Sequence, residues 1–197
     1  MRKINKVKAP HFLKKNWKKW GLEWKNKYKD PDQKNTFNWK CNREELIIDY
    51  LAKSTQDHCS FCDIDNITIG SGATIEHFKP KSKYHKIAYH YNNLFNCCNE
   101  CQKKIDDYSN LLLKPDIDSF SFETYFEIDI YTGKICPNIN ATPQNQKRAD
   151  ETIKLYRLNY GEKPRLRLKS LENYLKSSGL SINDFSYRFF IEAYNNI

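Results

Sequence analysis

The sequence predicts an α+β protein built around a strand, loop, strand, helix unit, and three observations lead there. Two cysteine pairs, Cys59-Ser60-Phe61-Cys62 and Cys98-Asn99-Glu100-Cys101, bracket the segment Ile75-Glu76-His77-Phe78-Lys79-Pro80-Lys81. Between the pairs lie short β-forming runs: Ile67-Thr68-Ile69 and Ala73-Thr74-Ile75 around Gly70-Ser71-Gly72, then Asn93-Leu94-Phe95-Asn96-Cys97 as a return strand. Helical periodicity dominates on either side of this unit.

Each Cys-x-x-Cys can close a tight turn around one side of a tetrahedral ion. Cys59, Cys62, Cys98 and Cys101 therefore read as four thiolate ligands of a structural Zn²⁺. Seven cysteines, an odd number, stand in a chain of 197 residues with no apolar stretch suited to a signal peptide or a membrane span. That argues against a disulfide framework and predicts a cytoplasmic protein with no membrane contact. Cys41, Cys97 and Cys136 read as small buried hydrophobes, and Cys97 is an alternative to Cys98 in poorer register.

From the N-terminus, residues 1–40 carry thirteen Lys or Arg against three acids and so hold the whole excess behind the net charge of +9. This basic arm suits a salt-sensitive contact with a phosphate backbone, although a solvated charged face explains it equally well. Leu13, Trp17, Trp20, Trp24 and Tyr28 recur at helical spacing with lysines between them, which predicts an amphipathic helix packed on the body. Gly21 inside it costs about 1 kcal/mol relative to alanine. Asn42 followed by Glu45 forms a capping pattern for a second helix with Leu46, Ile47, Tyr50 and Leu51 on one face. A short helix is expected from Gln102 to about Tyr108. Residues 116–197 should form a hairpin turning at Thr132-Gly133, then helices over 144–159, 164–178 and 182–195, with Gly179 and Ser181 as caps. Phe185, Phe189 and Phe190 are expected to pack this end on the core. The segments are thus a basic Trp-rich arm (1–40), the cysteine-pinned core (41–115) and a hairpin with helices (116–197).

The segment from Cys59 to Asp107 resembles HNH nucleases of the zinc-stapled ββα-metal type, with Glu76, His77, Asn93 and Gln102 in register with that family's motif. The resemblance implies His77 as general base, Asn93 as the residue that orients the loop and imidazole, and Glu76 and Gln102 as oxygen ligands of a catalytic Mg²⁺ or Mn²⁺. The residue types suit the chemistry: phosphodiester hydrolysis needs a cation beside the phosphate and a base poised near working pH. Lys79, Lys81, Lys103 and Lys104 would contact phosphate, and His85 and His90 read as loop residues. Gln102 stands where relatives carry His or Asn, and Ile105-Asp106 where they carry Lys-Gly.

Glu76-His77-Phe78-Lys79-Pro80-Lys81-Ser82, the Asn92 to Cys101 run, Leu112-Leu113-Lys114-Pro115 with Asp116 and Asp118, Gly133, and Thr152-Ile153 leading to Leu158-Asn159 together resemble the PtuB family. Such proteins are nuclease effectors of Septu and retron anti-phage systems that act with the ATPase PtuA. The resemblance implies a DNA-cutting effector partnered by a PtuA-like ATPase. Its alternative is a tRNA-cutting effector working with a retron reverse transcriptase and its msDNA. Two other readings compete: a zinc-knuckle subunit that binds nucleic acid without cutting it, and a structural subunit whose partner holds the activity.

Overall fold

A computed structural model describes residues 1–30, 32, 37–40 and 44–197 of the chain. The protein is α+β, with small two-stranded sheets and helices around them. The order is α1 (His11–Tyr28), α2 (Glu44–Thr55), β1 (Ala73–His77), β2 (Leu94–Cys98), α3 (Asn99–Gln102), α4 (Phe122–Tyr125), β3 (Phe126–Ile128), β4 (Ile135–Pro137), α5 (Pro143–Leu155), α6 (Lys163–Lys176) and α7 (Arg188–Asn195). Cys41 and the expected capping residue Asn42, together with the side chains of Glu45 and Leu46, lie outside the described residues.

β1 and β2 pair antiparallel, with Ala73 opposite Cys98, Ile75 opposite Asn96 and His77 opposite Leu94. Successive strand residues face opposite sides, so this hairpin can serve two cores at once. Ile75 and Leu94 join Leu13, Trp24, Ile47, Leu51 and Tyr89 in one apolar cluster. Phe95 and Cys97 join Phe61, Tyr156, Phe189 and Phe190 in the other, which also takes in Cys98 at the end of the strand. A sheet of only two strands is marginal alone, and burial on both faces stabilises it.

The aromatic stripe of α1 packs inward on the loop between β1 and β2. Trp17 meets His90 (4.3 Å between ring centroids), Trp20 meets Tyr89 (5.7 Å) and Tyr28 meets His85 (4.5 Å). Trp24 Nε1–H donates to the Lys81 carbonyl at 3.0 Å. Gly21 is the contact point, because a Cβ there would lie 2.1 Å from the Lys86 carbonyl oxygen. Its cost to the helix is offset by this close approach. The basic arm does not act as one unit: Met1 and Ile4 are buried in the other cluster, where Ile4 N–H donates to the Pro115 carbonyl at 2.9 Å.

Several local expectations are corrected. Ile67–Ser71 is a single π-helical turn and not a strand, entered through Asn66 in the left-handed region (φ 49°). The helix expected over Gln102 to Tyr108 begins earlier and ends sooner, at Asn99–Gln102, and turns carry the chain onward. The last predicted helix is split. Ser181 and Asp184 form a capping box on a 3₁₀ turn, Tyr187 takes φ 58°, and only then does α7 begin. The capping box satisfies the first N–H groups of the 3₁₀ turn, and the extended Phe185 and left-handed Tyr187 separate that turn from α7. Gly179 takes φ 79° in the turn beyond α6, whose cap is Ser177.

The distant motif residues hold the framework. Arg167 is fully buried, and its guanidinium donates to Gly133 O and Asn159 Oδ1, both at 3.0 Å, and to Leu158 O. Asp116 pairs with Lys114 (2.7 Å) and Lys6 (3.4 Å), and Asp118 with Lys3 (3.7 Å), which ties the N-terminal residues to the body.

Candidate functional site

The four cysteines converge. Cys59, Cys62, Cys98 and Cys101 are buried, and their Sγ atoms lie within 4.8 Å of one another. A tetrahedron of Zn–S bonds near ~2.3 Å has S···S edges of roughly 3.8 Å, and Cys62 and Cys98 Sγ stand 3.6 Å apart. All four are soft sulfur donors, so the residues fit a structural ion such as zinc. Cys98, and not its neighbour Cys97, joins the four-sulfur cluster. Burial pushes the Cys97 thiol well up, as for an inert buried hydrophobe. For Cys59, burial is outweighed by sulfur contacts, Cys101 foremost, and the thiol is held well below its usual value.

A cation beside this cluster is absent from the sequence reading. Lys163, near the start of α6, is buried and donates to Cys101 Sγ at 3.5 Å and to the Arg157 carbonyl at 3.0 Å. Burial would lower its pKa, yet the cysteines, Cys101 first, raise it. Lys163 is far along the chain and follows no metal-site spacing, so no sequence signal marks it.

The strand and helix ends meet at a cleft of about 370 Å³ lined by Ile75, Glu76, His77, Pro80, Lys81, Asn99, Gln102, Lys103, Ile105 and Asp106. β1 delivers Glu76 and His77, and α3 delivers Gln102 directly after the ligand Cys101. His77 Nε2 lies 2.9 Å from the Ala88 carbonyl. A carbonyl only accepts, so Nε2 carries the proton and neutral Nδ1 keeps a lone pair. The ring stacks on Trp39 (5.4 Å, 14°) and meets Phe37 edge-on (5.5 Å). Burial, then the positive charge of Lys81, lowers the His77 pKa to about 3 despite the Ala88 hydrogen bond.

Asn93 clamps the loop: its Oδ1 accepts from Lys79 N–H at 2.8 Å while its Nδ2 donates to Lys79 O at 3.0 Å. Gln102 Nε2 donates to Ile75 O at 3.4 Å, which leaves the amide oxygen as its acceptor. Glu76 is 3% exposed, and burial raises its carboxyl to about 7 although Lys104 pulls the other way.

Of the lysines expected at phosphate, Lys81 and Lys103 line the cleft. Lys79 Nζ sits over the Tyr84 and Tyr108 rings at 5.2 and 5.7 Å, outside the cleft lining. Lys104 is a correction: it is 1% exposed, with Nζ 2.8 Å from Glu76 Oε1 and 3.1 Å from Asp107 O. A buried carboxylate needs a buried countercharge, and Lys104 meets that need. The contact to Oε1 is an ion pair outside hydrogen-bond angles.

No family model and no curated protein matches this chain. What the site can do rests on its own geometry. Among the described residues, only the four cysteines bring three or more Cys, His or acidic ligand atoms together. A hard cation at Glu76 and Gln102 would therefore complete its shell with water and substrate oxygens, as Mg²⁺ commonly does. Asp106, unforeseen from the sequence, adds a second carboxylate to the cleft wall. No described helix is long and apolar enough to cross a membrane.

Proposed function

We propose that this protein is a metal-dependent endonuclease of the HNH type that hydrolyses nucleic-acid phosphodiester bonds, DNA by preference. In this reading it is the nuclease effector of a prokaryotic antiviral system acting with a PtuA-like ATPase. The observation that carries the chemistry is His77: a neutral imidazole in the cleft wall, its Nε2 proton committed to Ala88, beside two oxygen-bearing side chains. A divalent ion bound at Glu76 and Gln102 would neutralise charge developing on the phosphate and the leaving oxygen.

The residues would divide the work as follows. Lys81 and Lys103 hold the phosphate, and the anion cancels part of the Lys81 charge that depresses His77. His77 Nδ1 then accepts a proton from water as the water oxygen bonds to phosphorus. The phosphorus–sugar-oxygen bond breaks, and the leaving oxygen takes its proton from solvent. Asn93 fixes the backbone at Lys79, two residues beyond the base. None of these contacts reads a base edge, so the preference for DNA over tRNA rests on analogy with the HNH fold.

A second reading is a zinc-knuckle subunit that binds nucleic acid without cutting it. The Glu76–Lys104 contact favours it, because the ammonium already neutralises the carboxylate a cation would use. Incubating the zinc-loaded protein with plasmid, linear DNA and tRNA in Mg²⁺ or Mn²⁺ separates the two. Cleavage that disappears in His77→Ala supports the endonuclease; binding with no cleavage under any metal, with and without the ATPase, supports the second reading.

A further inference from the structure

A separate cavity of about 300 Å³ lies between α1 and the β1–β2 loop, lined by Lys25, Lys83, Tyr84, His85, Lys86 and Ile87. Its wall carries three ammonium groups and no carboxylate. Gly21 creates the juxtaposition by letting α1 touch the Lys86 backbone, which brings Lys25, one turn on, beside the loop. Among the described residues, Lys25, Lys83 and Lys86 form no ion pair with Asp or Glu. Elsewhere Arg2, Lys3, Lys6 and Lys40 of the basic arm do.

Two further observations point to a ligand. His85, tilted against Tyr28 at 48°, has its Nε2 buried without a hydrogen-bond partner. One contact also joins the cavity wall to the cleft wall: Lys83 lines the cavity and donates to the Asp106 carbonyl at 3.2 Å, and Asp106 lines the cleft. Like charges gathered without a counter-charge repel one another, and an anion relieves that repulsion.

We propose that this cavity binds a backbone phosphate of a nucleic-acid strand flanking the phosphate held in the cleft. It rests on the nucleic-acid reading of the cleft. The strand would run from His77 over Lys83 to the junction of α1 and the loop, positioned by phosphate contacts that read no bases.

The test compares the zinc-loaded wild type with the Lys25→Gln/Lys86→Gln variant. Binding of a short duplex DNA and of tRNA is followed by fluorescence anisotropy across a salt series. Hydrolysis of bis(p-nitrophenyl) phosphate with Mn²⁺, a single diester that reaches only the cleft, is measured alongside. Nucleic-acid affinity should fall about tenfold and the log K against log salt slope should shrink by about one to two, with the small-diester rate and the melting temperature unchanged. Unchanged affinity and slope for both nucleic acids would overturn the proposal. Binding is read without cleavage, so a defeat of the endonuclease reading in the cleavage assays with and without the ATPase would leave this test intact.

Discussion

At the scale of single residues, the site holds two titrating groups displaced in opposite senses. His77 stays neutral down to about pH 3 in the folded chain, whereas the unfolded ring titrates near 6.5. Its contribution to stability is therefore complete above pH 6.5 and is lost as pH falls towards 3, because only the unfolded state takes up the proton. Glu76 runs the other way: its folded carboxyl keeps a proton up to about pH 7, against 4.5 unfolded, so that contribution is present below 4.5 and lost as pH rises through 7. A divalent cation must displace this proton. Mn²⁺ binding to the zinc-loaded protein should strengthen as pH rises through 7 with proton release, measured by calorimetry in buffers of different ionisation enthalpy; pH-independent binding would remove Glu76 from the ligand set. Lys163 offers a second test. Lys163→Met keeps the buried stem but removes the ammonium beside Cys101, and zinc affinity in a chelator competition should fall about 10- to 100-fold, with Lys163→Arg losing less.

At the scale of elements, helices are placed by a few non-exchangeable contacts. Gly21→Ala improves helix propensity by about 1 kcal/mol, yet its Cβ would lie 2.1 Å from the Lys86 carbonyl. The clash should win, lowering thermal stability by about 1–3 kcal/mol and loosening the loop that presents Ala88 to His77. α7 is held by a different device. The Arg188 guanidinium pairs with Asp63 at 2.6 Å and donates to Thr55 O at 3.1 Å, while its backbone N–H donates to Asp63 Oδ2 at 2.7 Å. Arg188→Ala leaves Asp63 buried and unpaired, which should cost about 3–5 kcal/mol in denaturant unfolding. Existence and order of most elements were legible from periodicity, cysteine spacing and turn residues. The π-helical turn at Ile67–Ser71 was not, because a β-branched run looks like a strand until Asn66 and Gly72 fix its ends in unusual backbone regions. The break at Tyr187 was hidden similarly, since the apolar spacing continues across it while the backbone does not.

For the whole molecule, the β1–β2 hairpin is the shared wall of two apolar clusters, and the cysteine site pins its far end. Removing the metal should therefore affect more than the knuckles. Chelation, or Cys101→Ser, should expose amides of β1, β2 and α3 to hydrogen exchange and lower the melting temperature, because metal affinity contributes folding free energy directly. An apo protein with an unchanged melting temperature and exchange pattern would show that packing alone holds the hairpin.

The resemblance to HNH nucleases implied the grouping of Glu76, His77 and Gln102, whereas sequence alone determined the α+β class and the four cysteines that converge. Each depends on spacing along a strand or turn, where local geometry transmits pattern directly into place. Only the tertiary structure decided that Lys104 turns inward to Glu76, that Ala88 sets the tautomer of His77, that Lys163 faces the thiols, and that α1 lies against the loop through Gly21. Those contacts join residues distant in sequence, and their partners are chosen by burial: a charge or polar group taken out of water binds whichever complementary group the packing brings within reach.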